Sequence, residues 1–188
     1  MQRIQAIAAC RPKGILLREK DLCEEEYKKL AEKVMRICEE NEVPCILHSF
    51  IDAALALGAE NLHLPLHILC GMEEEKKRQF RSIGASCHSV AEAQEAERLG
   101  CGYITAGHVF VTDCKKGLAP RGLDFLQAVV ESVSIPVYAI GGINSENITV
   151  VRKTGAAGAC VMSGLMQCEN VEEQIKKMEK QTNVNENF

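Results

Sequence analysis

Residues 103–164 read YITAGHVFVTDCKKGLAPRGLDFLQAVVESVSIPVYAIGGINSENITVVRKTGAAGACVMSG. Three short apolar runs stand out, YITA at 103–106, PVYAI at 136–140 and ACVM at 159–162. They are apolar on both faces, the pattern of parallel strands covered by helices. Asn144-Ser145-Glu146-Asn147 opens a helix between the second and third runs, and it ends before Gly155. Strand, loop, helix and strand again is the βα unit.

The alternation continues toward the N-terminus. ILLR at 15–18, CILH at 45–48, NLHL at 61–64 and RSIGA at 81–85 are further strand candidates, for about seven in all. Between the first two, EEEYKKLAEKVMRICEENE carries Tyr27, Leu30, Val34 and Ile37 at spacings of three and four, one buried stripe backed by a charged face. Ser89-Val90-Ala91-Glu92 reads as a capping box opening a helix that runs to Arg98, with Gly100 closing it. Regular βα alternation implies either a doubly wound sheet or a closed (β/α)₈ barrel. The chain opens on a helix, QRIQAIAAC, with no strand ahead of it. The expected fold is a TIM (β/α)₈-type barrel lacking its first β-strand, in a single domain over 1–188. The polar tail QTNVNENF reads as frayed.

Composition narrows the partner. The 188 residues are 46% hydrophobic, enough for a full core, with a formal net charge of −4. Three Tyr, five Phe and no Trp leave neither a basic stripe nor a stacking surface for nucleic acid. No apolar run is long enough to span a membrane, and MQRIQAIAACRPKG lacks the apolar core of a signal peptide. A small-molecule ligand and a cytoplasmic location are the expectations. Ten cysteines contain no Cys-x-x-Cys, and Cys45 and Cys160 lie inside apolar stretches, so reduced thiols are expected.

In such barrels function collects just after each strand. Ile140-Gly141-Gly142-Ile143 and Val161-Met162-Ser163-Gly164 follow the last two strands. Backbone N–H groups there suit a phosphate, with Gly141, Gly142, Met162, Ser163 and Gly164 as the contacts. Tight strand-to-helix turns would use the same glycines. A long loop after YITA gathers His108, Thr112, Asp113, Cys114, Lys115 and Lys116. His108 suits general acid/base work, or equally a structural bond to a neighbouring carbonyl. Arg18 and Lys20 follow the first strand, as anion contacts or as a solvated cluster. His63 and His67 are four apart, but Pro65 stands between them and no third ligand is evident, so no metal site is assigned.

GHVFVTDCKKG, then PVYAIGGIN and CVMSG, resemble the thiamine phosphate synthase superfamily, most closely its thiazole tautomerase branch. LLREKDL, ALALGAENLHL and SCHSVAEAQEAERLG extend the resemblance from about Ile15 to Met166. The synthase joins a pyrimidine pyrophosphate to a thiazole phosphate with Mg²⁺. The tautomerase isomerises the non-aromatic carboxythiazole phosphate to its aromatic form and uses no cofactor. Synthases carry Asn-Asp-Arg after the third strand, where the Asp holds Mg²⁺; the matching triplet here is His48-Ser49-Phe50. Their second acidic segment, Gly-Gln-x-Asp, is matched by Leu64-Pro65-Leu66, their pyrimidine-binding Gln by Leu16, and their usual Pro by His108. The resemblance thus implies a tautomerase with His108 as catalytic histidine. A phosphorylated thiazole would be held by Arg18, Lys20, Thr112, Lys115 and the two glycine loops. Mg²⁺ enters only with the alternative, thiamine phosphate synthase; a non-catalytic phosphate-ligand-binding or regulatory homologue is the third reading. Family members begin with a strand ahead of the first helix, so a homodimer covering that gap is a further expectation.

Overall fold

The computed structural model describes residues 1–183, so the final part of the polar tail, 184–188, lies outside the described residues. All seven expected strands are present: β1 (Ile15–Leu17), β2 (Cys45–His48), β3 (Asn61–Pro65), β4 (Ser82–Cys87), β5 (Tyr103–Gly107), β6 (Val137–Ile140) and β7 (Gly158–Cys160). They are hydrogen-bonded in chain order from β1 to β7, the α/β arrangement of TIM-like folds. The chain packs as two compact units, Met1–Ala85 and the remainder from Ser86.

In the first unit β1, β2 and β3 pair in parallel, with Leu17 opposite Leu47 and His48 opposite His63. Helix α1 (Gln2–Ala9) precedes β1, and α2 (Glu24–Glu40) links β1 to β2. Three glutamates occupy the first turn of α2, where they favour the helix dipole, and the Glu26 carboxylate accepts the Cys23 N–H at 3.2 Å. Its buried seam is Tyr27, Ala31, Val34 and Cys38. The expected stripe is therefore corrected in part: Leu30 and Ile37 flank the seam, half-buried, while Ala31 and Cys38 share the buried face with Tyr27 and Val34. Val34, Cys38 and Val43 form a cluster onto which Ile4, Ile15, Leu17, Leu30 and Cys45 pack. Short helices α3 (Ile51–Ala56), α4 (Leu66–Cys70) and α5 (Glu74–Lys77) complete the unit.

The second unit holds β5, β6 and β7 in parallel, and its register levels their ends, with Gly107 opposite Ile140 and Ile140 opposite Cys160. Helix α6 (Val90–Arg98) begins at the expected cap, the Ser89 hydroxyl accepting the Glu92 N–H at 3.1 Å. Helices α7 (Gly122–Ser132), α8 (Ile148–Lys153), α9 (Ser163–Met166) and α10 (Val171–Asn183) follow. Leu126 and Val129 of α7 and Val151 of α8 are fully buried. The expected last strand is shifted: β7 ends at Cys160, which releases Val161 and Met162 into the loop before α9. All ten cysteines lie among the described residues as thiols, none of them in a disulfide. No helix among the described residues is long and apolar enough to cross a membrane.

Candidate functional site

The levelled ends of β5, β6 and β7 set His108, Gly141 and Val161 side by side, each one step past its strand. His108 is half-buried. Its backbone and its neighbours' tie the loop to the β6 end: the Val109 N–H donates to Ile140 O at 2.9 Å and Phe110 N–H to Gly141 O at 3.0 Å. The far side of the loop returns to the same place, Arg121 N–H donating to His108 O at 3.0 Å and Gly122 N–H to Val109 O at 3.1 Å. A long loop is thus clamped at its stem on both sides.

Glycine makes the clamp feasible. Gly141 has φ +100°, and a Cβ there would run into the His108 Cβ and lie 2.8 Å from its Cα. Gly142 has φ +67°, and a Cβ there would meet the Val111 carbonyl and lie 2.8 Å from the Phe110 Cβ. Both sit in the left-handed region that favours glycine. The pair read as a phosphate cradle is therefore also the seat on which the His108 loop rests. Asn147 locks the turn from the other side, its Nδ2 donating to Gly142 O at 2.9 Å while its Oδ1 accepts the Asn144 N–H at 2.9 Å.

The His108 side chain has a carbonyl neighbour, Nε2 lying 3.4 Å from Leu118 O. The structural alternative raised by the sequence is thus realised in part, although the imidazole stays accessible. Thr112 and Lys115 lie farther out: Thr112 caps a single 3₁₀ turn, Asp113–Lys115, and Lys115 is exposed beside the exposed Asp113–Lys116 ion pair of 3.7 Å. Met162 and Ser163 are exposed and Gly164 half-buried at the opening of α9, whose first-turn N–H groups lack intrahelical acceptors by construction.

The first unit has its own polar cluster, which the sequence did not assemble. His48 and His63 face each other across the β2–β3 pairing, both buried, rings stacked with centroids 5.6 Å apart. The Ser49 hydroxyl lies 2.6 Å from His48 Nδ1, and Ser49 takes φ +68°. Tyr27 braces the group: its hydroxyl accepts the His48 N–H at 2.9 Å and donates to Leu17 O at 3.0 Å, while its ring stacks on Phe50 at 4.3 Å. Burial pushes the Tyr27 phenol up to about 12. Burial, and then the positive charges of Arg18 and Lys20, lower the His48 pKa to about 4; burial, then His48 and Arg18, lower that of His63 to about 3. Both imidazoles are neutral at pH 7. Arg18 and Lys20 themselves are exposed. His63 and His67 are not brought together: His63 is buried in β3 and His67 exposed on α4. The signal available in the sequence was that CILH and NLH each end an apolar run in histidine.

A parallel α/β fold with a histidine-bearing loop seated on a glycine turn after its later strands defines an enzyme-type scaffold of the TIM-like class. The thiamine monophosphate synthase family model matches residues 1–165. A thiamine-phosphate synthase of Syntrophomonas wolfei is 35% identical over 170 residues, 87% of this chain and 79% of the relative. One from Fusobacterium nucleatum is 35% identical over 172 residues, 88% of this chain and 82% of the relative. The structure of a thiamine phosphate pyrophosphorylase from Pyrococcus furiosus superposes with a TM-score of 0.83 at 32% identity, covering 96% of this chain and 88% of that one. The chain belongs to the thiamine monophosphate synthase family, and the relatives' names place that family among thiamine-biosynthetic enzymes.

The Mg²⁺ that the synthase activity uses is a hard cation that takes carboxylate oxygens. At the ends of β2 and β3 this chain offers His48-Ser49-Phe50 and Leu64-Pro65-Leu66, with no carboxylate among them. The next acid after the triplet, Asp52, is ion-paired to Lys76 at 3.0 Å. Among the described residues no group of three or more His, Cys, Asp or Glu side chains is placed to hold a metal ion. These residues do not fit Mg²⁺.

Proposed function

We propose that the protein is a thiazole tautomerase, a metal-independent isomerase that converts the non-aromatic carboxythiazole phosphate to its aromatic form. The observation that carries this reading is the lack of carboxylates at the ends of β2 and β3: His48-Ser49-Phe50 and Leu64-Pro65-Leu66 stand where a pyrophosphate-releasing enzyme needs acids and Mg²⁺. Proton transfer needs neither. Neutral His108 takes the ring C2 proton beside the substrate carboxylate, and the imidazolium returns a proton to the exocyclic carbon. Aromatisation drives the reaction forward. The phosphate rests on the Gly141-Gly142 turn and the Ser163 and Gly164 amides, away from the bonds that change, where it serves orientation. Thr112 and Lys115 reach it from the loop tip.

The test is His108→Asn, with conversion of the non-aromatic thiazole phosphate followed by absorbance or NMR. A general base contributes roughly 10²–10⁴-fold, so a variant within about tenfold of wild type refutes the role. The second reading, a thiamine-phosphate synthase, is favoured by the names of the relatives. Supplying the pyrimidine pyrophosphate, the thiazole phosphate and Mg²⁺ separates the two: thiamine phosphate formed at a catalytic rate supports the synthase.

A further inference from the structure

We infer that Leu118 positions His108 through its backbone carbonyl, so that Nε2 carries the resting proton and Nδ1 is the base. This rests on the isomerase reading and adds to it the reacting atom and the group that selects it. A carbonyl has no proton to give, so the contact between His108 Nε2 and Leu118 O at 3.4 Å is one in which the imidazole donates. Neutral imidazole has one N–H, which leaves the lone pair on Nδ1. The bond is longer than the usual range of about 2.7–3.2 Å, as catalytic hydrogen bonds in free enzymes often are; it orients the ring more than it stabilises the fold.

The acceptor is held by backbone alone. Leu118 N–H donates to Lys115 O at 3.1 Å, and Lys115 N–H to Thr112 O at 3.0 Å, so a small self-closed turn presents the carbonyl. Leu118 is 61% exposed, so burial of its side chain does not account for the contact. At the other end, the seat on Gly141 fixes the His108 Cβ. With Cβ and Nε2 both held, the ring has one orientation, and Nδ1 faces a defined direction.

In the step, the Nδ1 lone pair takes the C2 proton and the C–H electron pair enters the ring's π-system. The same proton then passes from Nδ1 to the exocyclic carbon. One C–H bond breaks and one forms, with no oxidant or reductant. While Nδ1 is protonated both ring nitrogens bear N–H, and the bond to Leu118 O becomes charge-assisted, favouring the imidazolium.

Methylation of one nitrogen at a time tests this. With Nδ1-methylhistidine at position 108, turnover of the non-aromatic thiazole phosphate is expected to fall at least about 100-fold; with Nε2-methylhistidine, which keeps the Nδ1 lone pair but loses the bond to Leu118 O, the fall is expected to be smaller, about tenfold. Nitrogen-15 NMR of the unliganded protein gives a readout free of catalysis. The Nε2–H tautomer should exceed its population in a free histidine peptide. In Gly117→Val it should return to the peptide value, because φ +81° there is closed to a β-branched residue and the turn that presents the carbonyl must move. An Nδ1-methyl enzyme as active as wild type, or a wild-type tautomer ratio equal to the peptide's, overturns the inference. Failure of the wider reading looks different: an active His108→Asn enzyme overturns the isomerase assignment itself, whereas an inactive one beside an active Nδ1-methyl enzyme overturns the nitrogen assignment alone.

Discussion

Lowering the pH from 7 to 5 should strip stability from this protein through two side chains, His48 and His63. Their folded-state pKa values, about 4 and about 3, both lie below that of an exposed imidazole. The unfolded chain therefore binds more protons than the folded one in the window between about 6.5 and those values, and stability falls as pH falls through it. Arg18 and Lys20, which face the pair, oppose its protonation by their charge, and the Tyr27 phenol, raised to about 12, is neutral in this window. At pH 5 each unfolded imidazole lies about 1.5 units below its own pKa, which at ~1.4 kcal/mol per unit is ~2 kcal/mol per histidine, or ~4 kcal/mol for both. That is a large share of the roughly 5–15 kcal/mol that holds a domain together. With a urea slope of about 2 kcal/mol/M, the unfolding midpoint should move down by about 2 M between pH 7 and pH 5. Urea titrations at half-unit pH steps measure it. His48→Gln and His63→Gln should each flatten the acid limb by about half. A wild-type midpoint that moves by less than about 0.5 M over this range would refute the reasoning, as would a slope unchanged in both variants.

Two further perturbations probe the supports of the sites. Tyr27→Phe removes the hydroxyl that accepts the His48 N–H and donates to Leu17 O, leaving a buried N–H and a half-buried carbonyl without that partner. Denaturant unfolding should show a loss of about 1–3 kcal/mol, with the Phe50 stacking retained. Gly142→Ala places a Cβ against the Val111 carbonyl at φ +67°, so the loop stem must shift. We expect a stability cost of about 1–3 kcal/mol together with loss of turnover, since His108 rides on the same stem; a variant as active and stable as wild type counts against the seat described above.

Much of the fold was legible because each strand is an apolar run of its own, so periodicity alone marks it. The element ends were less so: β7 begins one residue early and stops at Cys160, since alternation in ACVM says nothing about where pairing with β6 ceases. The seam of α2 was misjudged for a related reason. Hydrophobicity ranks Leu30 and Ile37 above Ala31 and Cys38, but the smaller pair shares the buried face with Tyr27 and Val34. At the candidate site, His108 and the glycine turns stood out by residue type and position after a strand. What stayed hidden was whatever depends on register between chain-distant segments. His48 and His63 become a stacked pair only because β2 and β3 align them. Gly141 touches His108 only because Gly107 and Ile140 are opposite each other. The Leu118 carbonyl contact arises from a turn whose course no side-chain pattern encodes.

The loop after β5 divides into a stem, fixed by four backbone bonds to the β6 end and to itself, and a tip whose residues 113–120 are all exposed. Such a layout separates the seat of His108 from the exposed tip. Stem residues in the loops after β5 and β6 must vary together, because a side chain at 141 or 142 displaces the backbone of 108–111. The tip is under no such obligation. On the proposed reading, an engineer seeking a different phosphorylated heterocycle would vary the tip between Lys115 and Arg121, keeping Thr112, Lys115 and a carbonyl for His108 Nε2.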